Sequence, residues 1–279
     1  MSNLIDSIIK TRTLAGNIFV NSLTNLDGLS ELGIKEKIAS EIQNHNEIFP
    51  EGWYNPPPAG ISVILDQKPF KRLQYDNLRQ PVFWPRADLI FEKETVAMVY
   101  CSPIDRKTGM LADIGLTIYR GENGAIKQHI KNSYQAILAI AKHAEVGMKF
   151  SGLCAFASNS FENKFRTTKW ATKSSPNTNM NLGHTIPGSF ENNFIFGETY
   201  EEIKEAIRTK RIQVNEVENF QIPETCAFTI ESRLEDANDP NMPSSYFHFI
   251  VCFDKGKKTI LENYSQIFST VGMDYMNSK

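Results

Sequence analysis

Four side chains are out of keeping with their surroundings. Asp113 sits in a mostly apolar, strand-forming stretch (MLADIGLTIY, 110–119) where alternation does not demand a charge. His184 lies in a glycine-flanked turn (NLGHTIPGS, 181–189), Glu231 ends a run of strand formers (TCAFTIE, 225–231), and His248 stands among aromatics (YFHF, 246–249). Carboxylates and imidazoles are the common carriers of proton transfer and the common nitrogen and oxygen donors to divalent ions. Each residue also has a structural reading. Asp113 could face solvent at a bulge, His184 could bond a backbone carbonyl, Glu231 could be a strand end, and His248 could be a core histidine with one satisfied nitrogen. Taken singly, none of the four decides between chemistry and structure.

The cysteines point away from chemistry. Cys101, Cys154, Cys226 and Cys252 lie far apart, each in an apolar stretch, and are expected as small buried hydrophobes. No CxxC pair suggests zinc, and a disulfide framework does not suit a chain of 279 residues with this composition.

The elements that must position these residues can be read from pattern. Ser2 caps a short first helix with Ile5, Ile8 and Ile9 on one face, and a second helix over 34–48 places Ile34, Ile38 and Ile42 on another. Residues 60–65 (GISVIL) read as a buried strand, followed by an irregular polar connection over 66–87. Strands over 96–102 and 110–119 form a hairpin, and a long helix over 125–145 follows, closed by Gly147. A further helix covers 152–161. After a polar stretch over 167–181 and a turn over 183–188, a short strand is expected at 194–196. Thr199 caps a helix over 200–211, with Glu201 and Glu202 at its positive end and Arg208, Lys210 and Arg211 at its negative end. Strands over 225–231 and 246–253 end the pattern.

Composition limits the partners. Lys plus Arg number 30 against 32 Asp plus Glu, so no global field draws the chain to nucleic acid or to an anionic membrane. No apolar run approaches the roughly 20 residues of a membrane span, and the first ten residues lack a leader-like end, so a cytoplasmic protein is expected.

The order of elements and four segments together resemble the pita-bread family of methionine aminopeptidase, Xaa-Pro aminopeptidase, prolidase and creatinase, over about residues 30–262. The segments are GMLADIGLTIYRG (109–121), NSYQAILAIAKHAEVGMKF (132–150), NLGHTIPGS (181–189) and CAFTIES (226–232). The resemblance implies a single α/β (α+β) domain of curved antiparallel sheets flanked by helices, spanning 1–279, and no additional N-terminal domain. It implies Asp113 at the second metal-bridging aspartate, His184 at the metal-binding histidine and Glu231 at a metal-binding glutamate, with His248 near the last ligand position.

The departures from the family are equally specific. Its first bridging aspartate, eleven residues before the second, falls on Ser102, a poor substitute for an anion between two cations. Gly115 and Leu116 replace its supporting hydroxyl and arginine. The histidine ahead of the hairpin and the second histidine after the Gly-His turn have no counterpart. What remains implies at most a mononuclear site of Asp113, His184, Glu231 and His248 holding one divalent ion (manganese, iron, cobalt or zinc), or no metal at all, with Glu191 able to take over acid–base work.

Two functions follow from the resemblance. One is a hydrolase of a carbon–nitrogen bond in a small amide, guanidino compound or short peptide, with His184 and Glu231 as catalytic residues. In a metal-free version His184 acts as the acid–base and the carboxylates hold a cationic substrate. The other is a pseudoenzyme that keeps the fold as a protein- or ligand-binding module. The aromatic stretches WYNPPP (53–58) and PVFWP (81–85) suit a rim made of Trp53, Tyr54 and Trp84, and a homodimer is compatible with the family.

Overall fold

The computed structural model describes residues 2–167, 178, 180–191, 197 and 199–277. The chain opens with α1 (Ser2–Ser22) and α2 (Glu31–Gln43). Helix α1 is far longer than the sequence pattern suggests, because its buried stripe continues through Ala15, Ile18 and Phe19. In α2 the expected Ile34, Ile38 and Ile42 are buried, and the Ser30 side chain accepts from the Gly33 N–H at the N-terminus.

The strands β1 (Ile61–Asp66), β2 (Val96–Cys101) and β3 (Ile114–Tyr119) form an antiparallel sheet in that order, with Cys101 opposite Ile114 at one end. The predicted β2–β3 hairpin is present, but 110–113 lie outside the strand, so Asp113 precedes β3 rather than occupying it. Helices α3 (Gly124–His143) and α4 (Phe150–Phe161) follow. Helix α3 ends four residues before Gly147, whose φ of 83° instead serves a separate turn.

The second half contributes β4 (Phe165–Thr167), β5 (Asn181–His184), α5 (Tyr200–Lys210) with its Thr199–Glu202 capping box, and β6 (Gln213–Asn215). Then come β7 (Cys226–Ile230), β8 (Arg233–Asp236), β9 (Ser245–Tyr246), β10 (Phe249–Asp254), β11 (Lys257–Leu261) and α6 (Ser265–Thr270). The strand expected over 246–253 is broken at Phe247 and His248, and β11 and α6 extend the chain beyond the elements read from pattern. The strand expected at 194–196 lies outside the described residues, as does most of the polar stretch before β5.

Sheets β7–β10–β11, β4–β8–β9 and β5–β6 are all antiparallel. Single bridges splice them, Leu116 to Phe247 and Thr185 to Phe228. The ends of β3, β5, β7 and β10 are thereby drawn toward one region of the interior. All four cysteines are free and buried, as their apolar settings suggested. Among the described residues, no helix is long and apolar enough to cross a membrane.

Candidate active site

The four singled-out residues converge. Asp113 immediately precedes β3, His184 ends β5, Glu231 immediately follows β7 and His248 immediately precedes β10. His184 Nε2 lies 3.6 Å from Glu231 Oε1, and His248 Nε2 lies 3.6 Å from Glu231 Oε2 and 3.8 Å from Asp113 Oδ2. Glu231 is thus flanked by both imidazoles, and His248 bridges the two acids.

Backbone contacts fix this arrangement. Arg12 of α1 is fully buried and donates to the carbonyls of Asp113, His248 (2.7 Å) and Glu262 (3.0 Å). The Tyr264 hydroxyl donates to the Gly115 carbonyl at 2.8 Å and accepts from the His248 N–H at 2.9 Å. Gly183 has a φ of 148°, and a Cβ there would lie 2.3 Å from the Thr229 carbonyl oxygen, so only glycine lets β5 approach β7 closely enough to place His184. Arg12 was missed by sequence reasoning, although a charge four residues after Ile8 and three before Ala15, on an apolar stripe, was a legible signal.

Hydrogen bonds to the acids are supplied by aromatic and hydroxyl side chains. Trp53 Nε1 donates to Asp113 Oδ1 at 2.7 Å and the Tyr100 hydroxyl to Asp113 Oδ2 at 2.9 Å. The Thr229 hydroxyl accepts from the His184 N–H at 2.9 Å and donates to Glu231 Oε1 at 3.0 Å, while the Tyr246 hydroxyl donates to Glu231 Oε2 at 3.2 Å. His184 Nδ1–H donates to the Thr185 carbonyl at 2.9 Å, which leaves Nε2 as an acceptor turned to Glu231.

Burial decides the protonation states. It raises Asp113 to about 8, helped by the Glu231 charge and only partly opposed by Trp53 and Tyr100. It raises Glu231 to about 7 against the pull of Thr229, Arg211 and Tyr246. Burial also lowers His184 to about 3, aided by Arg211, and drives His248 well below the ordinary range, aided by Arg12 and His184. Near neutral pH both imidazoles are therefore neutral, Asp113 carries its proton, and Glu231 alone is poised between states. Its side chain keeps 19% exposure whereas Asp113 and His248 keep none, so Glu231 is the acid that can exchange protons with a ligand.

A cavity of about 420 Å³ opens onto this cluster. Its wall includes Trp53, Tyr54, Tyr100, His184, Glu231 and Tyr246 together with Arg79, Arg208, Arg211 and Gln213. Of the predicted rim, Tyr54 lines the cavity and Trp53 lines it from a buried position, 5.4 Å edge-on from the His184 ring. Trp84 is not part of this lining, because the 81–83 turn carries it elsewhere. Glu191 is not either; its carboxylate accepts from the Gly188 N–H at 2.9 Å and closes a loop. The irregular 66–87 connection does belong to the site, supplying Tyr75 and Arg79.

The donors present do not fit the divalent ion that the resemblance implied. Among the described residues, no group of three or more His, Cys, Asp or Glu is arranged to hold one. Both oxygens of Asp113 are already engaged, accepting from Trp53 and Tyr100. Ser102 cannot serve either. Its Oγ donates to the Gly60 carbonyl at 3.2 Å, accepts from the Tyr54 N–H at 3.1 Å, and fills the space that a Cβ at Gly52 or Gly60 would need. Beneath the cluster, the Arg12 guanidinium already supplies buried positive charge. Asp113, His184, Glu231 and His248 thus meet, as the expected ligand set should, as two acids and two imidazoles whose nearest nitrogens and oxygens lie 3.6–3.8 Å apart. The Gly-His turn is corrected too, since His184 ends a strand.

No family model matches the sequence, and no curated protein does. Solved structures do match, and they define the class: the chain has the pita-bread fold, an α/β architecture of antiparallel sheets and helices. It is similar to X-Pro aminopeptidase from Thermotoga maritima (13% identity, TM-score 0.63, 94% of this chain and 61% of that one) and to the prolidase from Pyrococcus horikoshii (14%, 0.62, 94% and 62%). It is also similar to a variant of Escherichia coli aminopeptidase P in complex with substrate (9%, 0.63, 100% and 60%). At these identities the likeness is one of fold, and the chain spans about three-fifths of the length of each.

Proposed function

We propose that the protein is a hydrolase that cleaves a carbon–nitrogen bond in a small amide or short peptide by acid–base catalysis through Glu231, without a metal ion. The observation that carries this reading is one cavity-facing carboxyl held near 7 beside a neutral imidazole acceptor, since an acid–base group is most effective when its pKa lies near the working pH. As carboxylate, Glu231 takes a proton from water while the water oxygen bonds to the substrate carbonyl carbon. As carboxylic acid, it returns that proton to the nitrogen as the carbon–nitrogen bond breaks. His184 Nε2 stands 3.6 Å from Glu231 Oε1 as a neutral neighbour of the carboxyl; this role suits an imidazole lowered to about 3 better than the primary acid–base role.

The cavity supports catalysis over service as a docking module. It is preformed and lined by convergent polar groups, and the exposed large apolar residues among those described are single side chains, Val82, Ile90, Val146 and Val217. Three arginines on its wall speak against the cationic guanidino substrates allowed by the resemblance. The likeness to structures named as peptidases agrees with the bond type. The test is release of amine from a panel of N-acyl amino acids, amino-acid amides and Xaa-Pro dipeptides by chelator-treated protein. Turnover that is indifferent to chelator and to added manganese is expected. Activity that appears only with manganese, or none across the panel, would overturn the proposal.

A further inference from the structure

The irregular connection over 66–87 is anchored by a single carboxylate. Glu31, the first residue of α2, has no solvent exposure, and its side chain is spent on that connection and not on its own helix. Oε1 accepts from the Leu65 N–H at 2.6 Å and from Arg72 Nη2 at 3.0 Å, while Oε2 accepts from Arg72 Nη2 at 3.1 Å and from the Arg86 N–H at 3.0 Å. Arg72 Nη1 donates in turn to the Val82 carbonyl at 3.0 Å. The outgoing arm of the connection, at Leu65 and Arg72, and its returning arm, at Val82 and Arg86, are thus fastened to one buried anion. A charge held this far from water is tolerated only when it is paired and fully hydrogen-bonded, and Glu31 is both. The outgoing arm is secured again where Asp66 Oδ2 accepts from the Arg72 and Leu73 N–H groups and the Ser244 hydroxyl donates to the Leu73 carbonyl. Between the two arms the chain lines the cavity with five consecutive residues, Tyr75 to Arg79. Tyr75 and Leu78 are buried there, and Arg79 lies 4.3 Å over the Tyr54 ring. Neither Glu31 nor Arg72 belongs to the lining, so both reach a bound molecule only through this segment.

We propose that Glu31 and Arg72 are positioning residues that hold 75–79 as a preset wall of the cavity, so that substrate binding depends on a salt bridge lying outside the site. A wall fixed in advance costs an incoming molecule no ordering of the chain. Released at its base, the same segment must be ordered at every binding event, which weakens binding and leaves the proton transfer at Glu231 as it was. The inference rests on this cavity being the substrate site, and its test therefore includes a reading that needs no turnover.

The experiment compares the full parent chain with Glu31→Gln, Arg72→Met, the double variant and Arg86→Ala. Each is followed by hydrogen–deuterium exchange and by kinetics on alanyl-proline, N-acetylalanine and alaninamide, one from each class of the panel. Gln cannot stand in for Glu31, because a carboxamide has one acceptor oxygen and here both oxygens receive a backbone N–H. Exchange over 72–80 is expected to rise at least about 10-fold in either single variant, with the 226–231 strand unchanged. KM is expected to rise about 10-fold while kcat is held. The double variant, which leaves no buried charge unpaired, is expected to differ from either single one by less than about 2-fold, because both residues act through one pair. Arg86→Ala keeps its backbone donor and loses only an exposed pair with Asp88, so it is expected to match the parent. Unchanged exchange over 72–80, an equal rise over 226–231, a loss of kcat at parental KM, or additive effects of the two substitutions would each overturn the proposal. A parent that turns over none of the three compounds overturns the hydrolase reading, while exchange still decides whether Glu31 sets the wall.

Discussion

Replacing Glu231 with Gln is expected to lower kcat by about 10²- to 10⁴-fold on any substrate that the parent turns over, with little change in KM, because a general acid–base contributes to the transition state and hardly to the ground state. The isosteric amide can still meet the Thr229 and Tyr246 hydroxyls that now donate to the carboxylate, so the fold should be retained. Steady-state kinetics with a circular dichroism spectrum beside them check both halves. A variant that folds and retains more than about a tenth of parental turnover would remove Glu231 from the chemistry.

The second large effect concerns stability. Asp113 is held at about 8 in the folded chain against an ordinary 3.8, so between those values the folded state binds a proton that the unfolded state has released. Stability is therefore fullest below pH 4 as far as this group is concerned, and it is lost progressively as pH rises toward 8. Each unit of that window corresponds to at most about 1.4 kcal/mol. His184 and His248 act in the opposite sense: both are depressed, so their contribution is present above about 6.5 and is lost as pH falls below it. An Asp113→Asn variant keeps the histidines and removes only the acid. Its melting temperature relative to the parent should climb by on the order of 5 °C between pH 5 and pH 8. A difference that stays flat across that range would show that Asp113 ionises normally in the folded protein.

Much of this site was legible in the sequence, but only as parts. Asp113, His184, Glu231 and His248 could be singled out by type and setting, and the two acids and two imidazoles do share one cluster. Their convergence could not be read from pattern, because it depends on strand ends more than 100 residues apart being spliced by single bridges such as Leu116 to Phe247. Family likeness supplied the meeting point, but not the protonation states of the groups that meet there. Ligand roles follow from charge, and charge here is set by burial and by Trp53, Tyr100 and Arg12, none of which belongs to the matched segments. Ser102 shows the same limit. Its type marked it as a weak ligand, whereas packing against Gly52 and Gly60 makes it no ligand at all. Helix α1 was cut short in the sequence reading because polar residues interrupt its stripe, and one of those, Arg12, fastens the backbone of the cluster.

The strand ends of a pita-bread fold thus present a carboxyl that burial has tuned, rather than a charged cage. Infrared difference spectroscopy of the parent against Glu231→Gln, as a function of pH, reads that carboxyl directly through its protonated C=O band. The band assigned to Glu231 is predicted to disappear with a midpoint near pH 7 in metal-free protein. A midpoint near 4.5, the ordinary value for a glutamate, would contradict it, leaving a carboxylate that stays ionised throughout and cannot return the proton to the leaving nitrogen.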